Sequence, residues 1–216
     1  MSDRNRFNVL LVLPIVSFIW LAGTVIIAGL YYPEYSHSAQ FISELGATGS
    51  PYGSYVNYLG FIPAELLIFA FVAFCYSAVP KTKQNRIGVA LIGLYGTALS
   101  LAAIFPCDYQ CRPVEPTLFH NIHMLLAVSA YMSVMVSMFI LSSFDGYAKT
   151  FKIGTRTISV ICILLFIALD PESKFVGVYQ RLLEGFIYVW FIYFGYILRG
   201  YFHPKNFHHF SDNRKS

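Results

Sequence analysis

The chain alternates long apolar runs with short polar ones. Six apolar runs stand out, at about 8–30, 57–79, 87–105, 118–141, 153–170 and 176–198. A helix needs about 20 mostly apolar residues to cross the hydrocarbon core. In lipid, backbone polar groups must be satisfied within the segment itself, so such runs read as helices. Five runs meet the length easily. The fifth is weaker: its uncharged part, Thr157 to Leu169, is short. It spans only if Arg156 and Asp170 reach the two surfaces. The pattern predicts an all-α integral membrane protein, a six-transmembrane-helix bundle forming one domain over 1–216. The polar segment 200–216 reads as a flexible tail, and its His203, His208 and His209 as surface residues rather than metal ligands.

Composition agrees. The chain is 56% hydrophobic and 12% charged, with a mean hydropathy of +0.58, whereas a soluble domain averages about 25% charged residues. Charge placement then orients the bundle. Placing the N-terminus in the cytoplasm puts twelve basic residues on the inner segments: Arg4, Arg6, Lys81, Lys83, Arg86, Lys149, Lys152, Arg156, Arg199, Lys205, Arg214 and Lys215. Three, Arg112, Lys174 and Arg181, remain outside. That asymmetry follows the positive-inside rule, so both termini are expected to be cytoplasmic. The net charge of +4 reflects topology, and its scatter over short segments excludes a nucleic-acid footprint. The first run has a basic start like a signal peptide. It is too long for a signal h-region of about 7–15 residues and reads as an uncleaved anchor.

The inner loops, Pro80–Arg86 and Ser142–Lys152, are short, and there is no internal repeat. The outer side is richer. In loop one, Phe41, Ile42 and Leu45 sit at helical spacing on a segment ended by Gly46, which predicts a short amphipathic helix on the membrane surface or capping the bundle. Gly93, Gly96, Thr97 and Ser100 in helix three, and Ala127, Ala130, Ser133 and Ser137 in helix four, read as close-packing positions.

Ionisable residues inside a membrane are costly, so each raises a functional question. Glu65 lies near the middle of helix two, just after Pro63. Glu184 lies at similar depth in helix six, with Gln180 and Arg181 on the same face. His120 and His123 open helix four, and Glu44 and Asp108 lie at the outer surface. Together they predict a polar cavity opening outward. The plain alternatives are an Arg181–Glu184 ion pair that fixes packing, a protonated Glu65 bonded to a neighbour, and a hydrogen-bonded histidine pair.

The stretch "CDYQCRPVEPTLFHNIH", Cys107 to His123, carries two further readings. His120 and His123 at i and i+3, with Asp108 or Glu184 as third ligand, could hold a zinc ion. Cys107 and Cys111 could be thiolate ligands or a disulfide; the outer compartment favours the disulfide. Cys75 and Cys162 lie in helices and read as packing residues. No glycine-rich phosphate loop, nucleophile elbow or HExxH motif is present.

Four stretches in order, "FISELGATGSPY", "FPCD", "HNIHMLLA" and "GVYQRLLEGFIYVW", resemble the bacterial and archaeal membrane-protein family catalogued as domain of unknown function 998. More distantly, the order is similar to that of DRAM/Frag/Sfk-type six-helix membrane proteins. The resemblance implies six helices, a prokaryotic cytoplasmic membrane, and Ser43, Glu44, Gly46, Asp108, His120, Gln180 and Arg181 as motif positions. It implies no activity. The cysteines lie outside that pattern. Three functions are therefore expected as alternatives. The first is a non-enzymatic protein that binds or moves a lipid or small amphiphile. The second is an intramembrane zinc-dependent hydrolase, and the third an accessory subunit of a membrane complex.

Overall fold

The computed structural model describes residues 3–201, with side chains over 8–199. The tail expected beyond that point, with its three histidines, and the side chains of Arg4 and Arg6 lie outside the described residues. Six long helices form the fold: α1 (Asp3–Tyr31), α2 (Gly53–Ala78), α3 (Lys83–Ile104), α4 (Leu118–Ser142), α5 (Lys149–Ile167) and α6 (Val176–Tyr201). All six are long and apolar enough to cross a membrane, and no strand occurs among the described residues.

Each helix packs on its neighbours in the chain, and α6 closes on α1, so the six make a ring. The start of α1 and the end of α6 lie on one face. The opposite face carries a lid built from the 32–52 and 105–117 connections. The face with the termini is sealed by aromatics. Trp190 stacks on Phe194 at 5.5 Å, Phe151 packs on Phe194 and Tyr147, and Trp190 Nε1 donates to Thr155 Oγ1 at 3.2 Å. Cys75 and Cys162 are free and buried in this core, as packing residues.

Several helix bounds differ from the hydropathy pattern, each for a local reason. α3 starts at Lys83, inside the basic segment, because Thr82 caps it: its Oγ1 accepts from Asn85 N at 3.2 Å. α5 starts at Lys149 and stops at Ile167, before Asp170. Arg156 keeps to the terminus face, donating from Nε to Ser142 Oγ at 3.4 Å, while Asp170 lies past the helix end and accepts from Glu172 N. The weak run therefore spans with its flanking charges at its two ends. The Phe41–Leu45 segment is no surface-lying helix. It is a 3-10 turn, Ser43–Gly46, with Ile42 and Leu45 buried in the top of the bundle.

α2 widens into a π turn over Val56–Phe61. Pro63 has no N–H to return to the Leu59 carbonyl and its ring crowds that carbonyl, so the regular ladder is broken there. Trp20 Nε1 from α1 donates to Leu59 O at 3.0 Å, recovering the freed acceptor. One turn further on, Ser17 Oγ donates to Ala64 O at 2.8 Å and meets Tyr188 OH at 2.9 Å. Ser17 has a single proton, so Tyr188 donates to it. One serine thus joins α1, α2 and α6.

Several of the small residues pack helices closely, and they serve more than one helix pair. α3 and α4 form the most extensive pair, and Ser137 Oγ donates to Gly88 O at 2.7 Å there. Gly96 faces α2 instead, against Glu65 and Ile68. A close approach to backbone closes the ring: a Cβ at Gly195 in α6 would strike the Leu10 carbonyl of α1. Because that neighbour is backbone, Gly195→Val should lower the thermal unfolding midpoint in detergent, by an overpacking cost of about 2 kcal/mol. Gly185→Ala, with open space at its Cβ, should leave the midpoint unchanged or raise it. Equal midpoints for the two variants would contradict the close approach.

Candidate functional site

The lid is held to the bundle by polar bonds from most of the residues that the motif pattern marked. The N-terminus of α6 has unsatisfied N–H groups, and loop one supplies their acceptor. Gly177 N and Val178 N both donate to Ser38 O, at 2.9 and 3.2 Å. A Cβ at Gly177 would fill the space where the Gln40 and His37 carbonyls pack. Arg181 completes the clamp. Its Nη1 donates to Gln40 O at 3.1 Å, and its Nη2 to Tyr35 OH at 2.7 Å and His37 Nδ1 at 3.0 Å. Burial pushes the Tyr35 hydroxyl up to about 12 although Arg181 draws it down, so Tyr35 stays neutral and donates to Phe41 O. Burial, with Arg181 beside it, lowers the His37 imidazole, which leaves the ring neutral and able to accept.

Glu44 is 1% exposed. It accepts from Phe41 N and Gln40 Nε2, both at 2.9 Å, with the Arg112 guanidinium 3.6 Å away. Burial raises its carboxyl, and these partners offset part of that rise. Arg112 also donates to Ala39 O and lies over the Phe41 ring. It belongs to the second lid strap, where Cys107 and Cys111 are joined in a disulfide. The disulfide packs on Ala47 and Phe41, Ser43 Oγ lies 3.4 Å from Cys111 Sγ, and Thr48 N donates to Cys107 O. Gly46 O accepts from Asn57 Nδ2 of α2 at 2.8 Å.

Asp108 braces Thr117, the residue that caps α4 by accepting from His120 N. Its two oxygens accept from Thr117 N at 2.8 Å and Thr117 Oγ1 at 2.7 Å. These bonds hold its carboxyl below the ordinary range. His120 Nδ1 accepts from Asp108 N at 3.3 Å, so Asp108 meets His120 through its backbone and not through its carboxylate. His123 Nδ1 faces two carbonyls, Ala102 O at 2.9 Å and Phe105 O at 3.1 Å, and therefore carries the proton. The two histidines thus point to separate partners. No group of three His, Cys, Asp or Glu side chains that could hold a metal ion occurs among the described residues. The geometry does not assemble the zinc set of His120, His123 and Asp108, and Cys107 and Cys111 are spent on each other.

Beneath the lid lies a cavity of about 270 Å³. Its roof is Phe41, Ile42, Ser43 and Gly46, and its polar lining includes Asn57, Glu65, His123, Tyr131, Gln180 and Glu184. Glu184 lies about 12 Å along α6 from its lid end, at about 1.5 Å per residue. Its Oε2 accepts from Tyr95 OH at 2.7 Å and its Oε1 from Tyr131 OH at 2.8 Å. Gln180 Nε2 donates to Tyr131 OH at 3.3 Å, and Gln180 Oε1 accepts from Ile42 N at 2.6 Å. A hydrogen-bonded chain therefore runs from the lid backbone through Gln180 and Tyr131 to Glu184. Glu65 is 3% exposed and its Oε2 has no hydrogen-bond partner.

Of the residues expected to share one cavity, Glu65, His123, Gln180 and Glu184 do so, and Ser43 reaches it from the roof. Glu44, Asp108, His120 and Arg181 do not line it. The Arg181–Glu184 ion pair is not formed, because the guanidinium finds its acceptors in the lid. Tyr95, Tyr131 and Asn57 were not anticipated. The available signal was a hydroxyl or amide inside an apolar helix, which must find a partner when buried.

An all-α ring of six apolar helices, with polar groups gathered inside it and capped at one face, defines a multi-pass membrane protein. The chain belongs to the family described as "Protein of unknown function (DUF998)", which matches residues 14–196. No curated protein and no solved structure matches the chain.

Two outcomes test the lid. Arg181→Gln removes the clamp, so amide hydrogen exchange at 36–42 should accelerate about tenfold or more, while exchange in the 185–195 core stays unchanged. Acceleration of both regions, or of neither, would contradict the clamp. Asp108 is an acid with a lowered folded value. Its stabilisation is present above 3.8 and lost as pH falls through the folded value. Thermal midpoints should therefore drop below about pH 4 in the parent and drop less in Asp108→Asn.

Proposed function

We propose that this protein binds an amphiphile drawn from the bilayer, seating its polar end in the cavity beneath the lid. One observation carries the reading: the cavity joins a buried polar end to an exposed apolar side. The apolar wall is made by Leu99, Ala102, Met124, Val128, Phe166 and Leu169. Of these, Met124 and Val128 are exposed as well as lining the cavity, and this reading takes them as the opening toward acyl chains. The polar end lies at Glu184, Tyr131 and Gln180. Ligand pockets typically hold about 300–1,000 Å³, so this one suits a head and the first part of a tail, with the rest of the chain in lipid.

In the same reading the lid faces outward and both termini are cytoplasmic. The concentration of basic residues on the terminus face and the disulfide on the lid face support this orientation. The lid then separates the polar end from outside water, and access is lateral, past Met124 and Val128. The chain from Ile42 N to Glu184 would let the lid respond to what binds below it.

Native mass spectrometry of protein extracted gently from its membrane tests this. The spectrum should show one retained amphiphile per chain, and Ala127→Trp, which fills the cavity from α4, should lose it. A bare protein in both samples, or the same adduct in Ala127→Trp, would refute the reading.

A further inference from the structure

The charge inside the cavity narrows the class of ligand. Among the described residues, its lining includes two carboxylates, Glu65 and Glu184, and no lysine or arginine. The nearest guanidiniums of the lid are committed elsewhere, Arg181 to Tyr35, His37 and the Gln40 carbonyl, and Arg112 to Ala39 O and Glu44. His123 lines the cavity, with Nδ1 turned to two carbonyls. The two acids differ in one respect. Both oxygens of Glu184 are occupied by tyrosine hydroxyls. Glu65 is as deeply buried, yet its Oε2 has no partner and lies where Gly96 leaves room beside it. A buried charge without a partner is costly, and an orphaned acceptor costs the full desolvation of the group. Such a group is kept when something else supplies the missing donor.

We propose that the amphiphile carries a protonated amine, which donates to Glu65 with Glu184 as the second negative group behind it. The ligand class is then a primary ammonium on an apolar tail, the tail running along Leu99, Met124 and Val128 toward lipid. An ammonium brings three N–H donors and no acceptor, which complements a site that offers carboxylate oxygens and lacks a cation. This rests on the binding reading above, and the test is arranged so that the two can fail separately.

The full chain, purified in an uncharged maltoside detergent at neutral pH, is titrated with dodecylamine, dodecanol or dodecanoate, and separately with potassium chloride. The thermal unfolding midpoint reports binding. Dodecylamine should stabilise at concentrations about tenfold or more below those needed for dodecanol, and dodecanoate should not stabilise. Glu65→Gln, which removes the ionisable oxygen and keeps the shape, should erase the amine's advantage and leave the dodecanol response intact. Ala127→Trp should abolish both responses. Equal stabilisation by dodecylamine and dodecanol in the parent would overturn the amine assignment while leaving amphiphile binding standing. An amine advantage that survives Glu65→Gln would overturn the site. A response to potassium chloride as large as to dodecylamine would overturn an organic cation in favour of an inorganic one. No response to any amphiphile would overturn both readings.

Discussion

The carboxylate of Glu184, held by Tyr95 and Tyr131, is the interaction around which the rest is arranged. An acid in the interior of a transmembrane ring must be supplied with donors or it destabilises the fold. Here α3 and α4 each send one tyrosine hydroxyl to it, at 2.7 and 2.8 Å. The helix neighbours around the ring are sequential, so α6 has no extensive backbone contact with α3 or α4. The two tyrosine bonds cross that gap. They leave space around them, and the cavity is that space.

The same constraint reaches the lid. Tyr131 accepts from Gln180, and Gln180 accepts from Ile42 N, so the buried acid and the roof belong to one hydrogen-bonded chain. The roof is pinned a second time by Arg181. Its donors are satisfied by Tyr35, His37 and two carbonyls at the lid face. One turn of α6 thus faces two ways: Gln180 and Glu184 inward, Arg181 toward the loop. Most of the motif positions secure the lid, and the deep acids lie under it. The opposite half of the ring is closed by Trp190, Phe194 and Phe151, so the cavity ends there.

The six spans were legible because lipid allows little else: length and apolarity decide them. The weak fifth span was legible once its flanking charges were assigned to the surfaces, and Arg156 does stay on its own face by reaching Ser142. Helix starts were less legible. Lys83 and Lys149 look like loop residues, yet both open helices, the first under the Thr82 cap and the second without a side-chain cap. In the site, Glu65, His123, Gln180 and Glu184 could be named from the cost of burying them. Arg181 was misdirected because spacing on a helix fixes a side chain's face but not the reach of a long, flexible arm. Tyr95 and Tyr131 were hidden among 16 tyrosines; only the fold shows which of these hydroxyls meet the acid.

In the proposed function, the space between Glu184 and the roof holds the polar end of an amphiphile. An experimental density map of the protein in its own lipids tests it most directly. An elongated density should begin within hydrogen-bonding distance of Glu65 and pass Leu99 and Met124 into the bilayer, with Tyr95 and Tyr131 still on Glu184. A cavity closed by inward movement of α4, or one containing only ordered water between Glu65 and Gln180, would contradict it.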